Sequence, residues 1–71
     1  MTDQQFLKQL GKRISEVRKE KGMSQLDLGS KIDMEKSNLS AIENGRQNPS
    51  ALTLKRIADA LGVEVVEFLK Y

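Results

Sequence analysis

Residues 23 to 45, MSQLDLGSKIDMEKSNLSAIENG, decide how this chain folds. Ser24 with Asp27 three residues on is a Ser-x-x-acid cap, in which hydroxyl and carboxylate each satisfy a backbone N–H of a helix's first turn. Met23 and Leu28 stand at the two positions of a hydrophobic staple, the residue before the cap packing on the fourth of the helix. The spacing predicts one helix over 24–32 and a second over 36–44, with Asp33, Met34 and Glu35 as the turn between them. Leu28, Ile32, Leu39 and Ile42 supply a shared inward face. Gly29, on the inner side of the first helix, leaves room for its neighbour. Gly45 closes the second, because glycine takes the left-handed position after a helix without a Cβ penalty. Two short helices around a turn of this length suit a helix-turn-helix, whose second helix enters the major groove of DNA.

If Leu39 and Ile42 point inward, Lys36, Ser37, Ser40 and Ala41 are left on the outer and flanking faces. Small and polar residues with one cation permit close approach to base edges. Lys bonds guanine O6 and N7, Ser bonds several bases, and the Ala methyl meets the thymine methyl. An ordinary solvated face would have the same composition. Beyond the helix, residues 46–49 (RQNP) form a polar loop ended by the one proline. Asn44, Arg46 and Asn48 there, and the free N–H groups from Ser50 to Leu52 at a helix start, are of the kinds that contact phosphates. Turn chemistry alone also accounts for Asn44-Gly45 and Asn48-Pro49.

Outward from this centre, Thr2 and Gln5 form another capping box opening a long helix that ends at Gly22. Phe6, Leu10, Ile14 and Val17 give it an apolar stripe. Gly11 interrupts the pattern at a cost of about 1 kcal/mol relative to Ala, and permits a close helix crossing. Ser50 caps a fourth helix with Leu52, Leu54, Ile57, Ala58 and Leu61 on its apolar side and Gly62 as its stop. Val63 to Tyr71 reads as a short fifth helix. One buried face does not readily absorb Val65, Val66, Phe68, Leu69 and Tyr71 together, so part of this tail is expected to meet a second subunit or a protein partner; core packing with a frayed end is the alternative.

Seventy-one residues make a single domain, 1–71, with a thin core. At 38% hydrophobic and 31% charged, the composition is that of a globular protein. There is no Cys and no His, hence no disulfide, no thiolate or imidazole metal site and no imidazole base; neither a metal, a cofactor nor enzymatic activity is expected. No apolar run is long enough to span a membrane, no membrane partner is expected, and MTDQQF is unlike a signal peptide, so the chain reads as cytoplasmic. Residues 8–56 hold eleven Lys/Arg against six acids, a net +5, whereas the last eight residues hold two acids against one Lys. A basic body with an apolar, mildly acidic end suits a polyanion on one face and a protein on another.

The residues Met23-Ser24-Gln25-Leu26-Asp27-Leu28, Ile32, Leu39 through Gly45, Asn48-Pro49-Ser50, Thr53-Leu54 and Ile57 through Val63 closely resemble the lambda-repressor-like, Xre-type helix-turn-helix family, over roughly residues 8 to 69. The resemblance implies an all-α, compact five-helix orthogonal bundle whose third helix reads DNA, generally as a symmetric dimer on a palindromic operator, in transcriptional regulation. It puts Lys36, Ser37 and Ala41 where family members reach base edges. Gln25 falls where a side chain bridges backbone and outer base, and Ser24, Asn44 and Arg46 at phosphate-contacting positions. Arg18 and Glu43 match a pair that ties the first helix to the end of the third. Three residues depart from the pattern: Asp33 where Gly is usual, Gly29 where Ala is usual, and Glu35 where Ser or Thr usually precedes the recognition helix.

The expected partners are double-stranded DNA and a second copy of the chain, with polymerase or a toxin as a protein partner. An antitoxin-like subunit, or a restriction-modification controller, acting through a protein bound at the tail is the alternative function.

Overall fold

The computed structural model describes residues 1–70. Its elements are α1 (Asp3–Glu20), α2 (Gln25–Lys31), α3 (Lys36–Glu43), α4 (Ala51–Leu61) and a 3-10 segment, Val65–Leu69. The caps account for where the helices begin. Thr2 Oγ1 accepts from the Gln5 N–H at 3.1 Å while Gln5 Oε1 accepts from the Thr2 N–H at 2.8 Å. Ser24 and Asp27 repeat this reciprocity at 3.0 Å both ways. The Ser50 hydroxyl oxygen accepts from the Thr53 N–H at 3.1 Å. Glu35, at the start of α3, makes no side-chain cap bond.

The core is Leu10, Ile14 and Val17 of α1, Leu28 of α2, Leu39 and Ile42 of α3, Ile57, Ala58 and Leu61 of α4, and Phe68. Two expected members are elsewhere. Phe6 is 39% exposed, and Leu7 packs on the core in its place. At about 100° per residue, Leu7 lies within about 20° of Ile14 around the helix, whereas Phe6 is rotated by about 80°. Leu52 is 57% exposed for the same reason, being about 140° away from Ile57. Ile32 and Leu54 pack against the core while staying partly open.

α1 crosses α3 at Gly11. A Cβ there would collide with the Ile42 carbonyl oxygen and lie 2.5 Å from that of Glu43, so only glycine allows the two backbones this close. Gly29 serves the α2–α3 turn instead of a helix: its missing Cβ makes room for the Met34 carbonyl, and its own carbonyl accepts the Met34 N–H at 2.8 Å. Asp33 fills the left-handed turn position at φ 55°, a conformation Asp tolerates better than most residues.

The expected fifth α-helix is not present as such. Residues 65–69 form a single 3-10 segment, giving four α-helices rather than five among the described residues. The stretch is only five residues long, is followed by extended backbone at Lys70, and begins with two β-branched valines. So short a piece gains too few i→i−4 bonds to repay nucleation, and the tighter 3-10 turn is the usual outcome. No helix among the described residues is long and apolar enough to cross a membrane.

Candidate nucleic-acid interface

α3 is amphipathic by residue size as much as by polarity. Leu39, Ile42 and Glu43 are buried; Lys36, Ser37, Asn38 and Asn44 are exposed, and Ser40 and Ala41 half-buried. The outer surface is therefore built of short side chains along its middle, with one cation at its N-terminal end.

Behind it lies a buried ion pair. The Arg18 Nε donates to Glu43 Oε2 at 2.7 Å and its Nη2 donates to Oε1 at 3.0 Å. The two side chains are 8% and 4% exposed. Arg18 Nη1 also donates to the Met23 carbonyl at 2.7 Å, so one guanidinium joins α1, the end of α3 and the entry to α2. Gln25 Nε2 completes the group, donating to Glu43 Oε1 at 3.0 Å. Burial acts to raise the Glu43 carboxyl, but the hydrogen bonds from Arg18 and Gln25 and the charge of Arg18 outweigh it and hold it below the ordinary carboxylate value. The hydrogen bond to Glu43 raises Arg18 against the opposing effect of burial. Among the described residues no buried side-chain polar atom is left without a partner.

The other named residues surround this centre. Lys36 and Ser37 stand exposed on the first turn of α3, and at the start of α2 Ser24 is exposed and Gln25 half-buried. Asn44 donates through Nδ2 to the Ser40 carbonyl at 2.8 Å and to Ser40 Oγ at 3.3 Å, so its amide carbonyl is the group turned outward. Arg46 and Asn48 are exposed in the loop, Pro49 between them and α4 is buried, and the Arg46 N–H closes on the Ala41 carbonyl at 2.9 Å. Ser50 spends its hydroxyl proton on Thr53 Oγ1 at 3.0 Å, leaving the first-turn N–H groups of α4 as the donors at that point.

Asn38 is a further polar residue on α3 that the sequence pattern does not single out. It is exposed on α3 and shares a concavity of about 330 Å³ with Glu35, Thr53 and Arg56. Its spacing, three residues before Ala41, was the available signal. In the tail, Phe68 is a fully buried core residue and not an open contact, which corrects its place among the partner-facing residues. Val65 is half-buried, Val66 and Leu69 are 55% and 42% exposed, and Tyr71 lies outside the described residues. Arg13 fastens the segment to α1, its Nε donating to the Glu67 carbonyl at 2.9 Å. Among the described residues no cluster of acidic side chains is arranged to hold a metal ion.

The Helix-turn-helix family model matches residues 14–68. Among curated proteins, the immunity repressor protein of Bacillus phage phi105 is 43% identical over 56 residues, 79% of this chain; the chain spans 39% of that repressor's length. An uncharacterized HTH-type transcriptional regulator, y4dJ, of Sinorhizobium fredii is 37% identical over 62 residues, covering 87% of this chain and 80% of the relative. Among solved structures, the restriction-modification controller protein C.AhdI of Aeromonas hydrophila superposes with a TM-score of 0.84 at 32% identity, over 87% of this chain and 94% of that one. A capped α2, a left-handed turn, a small-residue face on α3 and these relatives converge: the chain belongs to the lambda-repressor-like, Xre-type helix-turn-helix family of DNA-binding transcriptional regulators.

Proposed function

We propose that the chain docks α3 in the major groove and binds a palindromic operator as a symmetric dimer, with the two recognition helices about 34 Å apart. The observation that carries this reading is the small, polar outer face of α3, braced from behind by the buried Arg18–Glu43 pair. Lys36, Ser37, Ser40 and Ala41 would read base edges, with Gln25 bridging backbone and outer base from α2. Ser24, Asn44, Arg46, Asn48 and Ser50 would meet phosphates, Asn44 after turning its amide away from Ser40. Val66 and Leu69 would contribute to the dimer contact, with Val65 beside them.

The test is fluorescence anisotropy with the DNA upstream of the protein's own gene against a scrambled duplex, near physiological salt. A preference of about 10³-fold or more is expected. Equal, weak binding to both duplexes would count against operator recognition by the isolated chain. The 94% coverage of the restriction-modification controller supports a narrower second reading, control of methylase and endonuclease genes; reporter transcription from such a promoter would then respond to the protein. An antitoxin-like role predicts instead that specific binding appears only after a partner protein occupies the tail.

A further inference from the structure

From the way α1 distributes its cations we infer that it carries a second DNA-backbone contact, made by Lys12 and Lys19, outside the helix-turn-helix itself; the inference rests on the DNA-binding reading above. Arg13 and Arg18 are engaged internally, Arg13 with Glu16 and Glu67 and Arg18 with Glu43. Lys12 and Lys19 are exposed, and among the described residues their ammonium groups have no ion pair or hydrogen bond. Seven residues apart, they project from one face of α1 within about 20° of each other and about 10 Å apart along its axis. Strand phosphates recur about every 3.4 Å of duplex axis, so the pair spans about three nucleotide steps.

Lys12 and Lys19 both line an open groove of about 550 Å³, together with Ser15, Glu16, Gln25 and Asn44. Gln25 begins α2 and Asn44 follows α3, so the groove adjoins the surface that faces DNA. Its two carboxylates are both engaged: Glu43 by Arg18 and Gln25, and Glu16 by Arg13 at 3.6 Å. The Gln25 amide is spent on Glu43, the Asn44 amide on Ser40 and the Ser15 hydroxyl on Arg18 and Glu43, so what remains open is the two exposed lysine ammonium groups, cations suited to phosphate oxygens.

The experiment compares the slope of log K against log salt for the wild type, K12Q/K19Q, K12R/K19R and a control, K31Q/K55Q, on the upstream and scrambled duplexes. Losing two phosphate contacts makes the slope shallower by about 1.8, so the K12Q/K19Q variant loses about tenfold less affinity than the wild type between 50 and 200 mM salt. The ratio of affinities for the two duplexes should stay as in the wild type, K12R/K19R should keep the wild-type slope, and thermal unfolding should be unchanged because both side chains are exposed. An unchanged slope in K12Q/K19Q overturns the inference and leaves the DNA-binding reading standing. An equal change in K31Q/K55Q also overturns it, since net charge alone would then be the cause. Absence of salt-dependent binding by the wild type to either duplex removes the underlying reading, and the inference with it.

Discussion

Glu43 shows how a residue can be conspicuous in a sequence and still be held away from the ligand. Placed on the recognition helix of a DNA-binding protein, a carboxylate would repel phosphates; here it faces inward and is neutralised by two parallel bonds from Arg18. Removing Arg18 would leave that charge buried and unpaired. Arg18→Ala is expected to destabilise the fold by about 3–5 kcal/mol in denaturant unfolding, whereas replacing both partners by apolar residues of similar volume should cost much less. The pair also sets a pH dependence. Because the Glu43 carboxyl sits below its ordinary value, its contribution is complete above about pH 4.5 and is lost as pH falls through the folded value. Glu43→Gln should therefore flatten the acid side of a melting-temperature profile; an acid limb as steep as the wild type's would show that other carboxylates dominate it. On the opposite face, Lys36→Ala should weaken the preferred duplex by about 1–3 kcal/mol and relax selectivity at one base pair. Arg46→Ala should instead lower affinity for every duplex alike and reduce the salt slope by about one. Parallel selection experiments on the two variants separate base reading from phosphate contact.

At the scale of elements, the crossing of α1 over α3 is set by a missing side chain. In an exposed helix Gly11→Ala would gain about 1 kcal/mol of propensity. Here the added methyl meets two backbone carbonyls that cannot rotate aside. The net effect should be a loss of about 1–3 kcal/mol, and α3 should shift with it, lowering DNA affinity beyond what unfolding accounts for. A variant more stable than the wild type would mean that the crossing relaxes freely. Elements governed by local chemistry were legible beforehand, because Ser24 with Asp27, Thr2 with Gln5, and Ser50 each fix a helix start within three residues of themselves. Those that depend on rotation about an axis were less so: four-residue steps pointed to Phe6 where the turn angle selects Leu7, and apolarity alone placed Leu52 inside. The tail differs from its expected helix for a third reason. Five residues cannot show a helical period, so nothing local distinguished an α-helix from a 3-10 turn or singled out Phe68 as the member that is buried. The Arg18–Glu43 pair, 25 residues apart in sequence, has no local signature at all, and its assignment came from family resemblance alone.

On the scale of the whole molecule, the dimer proposed above assigns the basic body to DNA and the apolar end to a second subunit. The 3-10 segment is anchored to the body through the buried Phe68 and through Arg13 on the Glu67 carbonyl. Its three-residue period stacks Val66 directly over Leu69, so two exposed apolar side chains share one side of a fixed element. Such a platform is small, and a dimer built on it alone would be weak in the absence of DNA, with much of its stability supplied by two half-sites bound at once. Val66→Asp with Leu69→Asp removes the platform without touching the core or α3. The double variant should unfold like the wild type and bind a single half-site as well as before, yet lose 10²-fold or more on a two-half-site duplex, since each subunit then binds without the other. Sedimentation of the complexes supplies the stoichiometry: two chains per duplex for the wild type and one for the variant at the same concentration. Two chains per duplex in both, with unchanged affinity, would place the dimer contact elsewhere on the molecule.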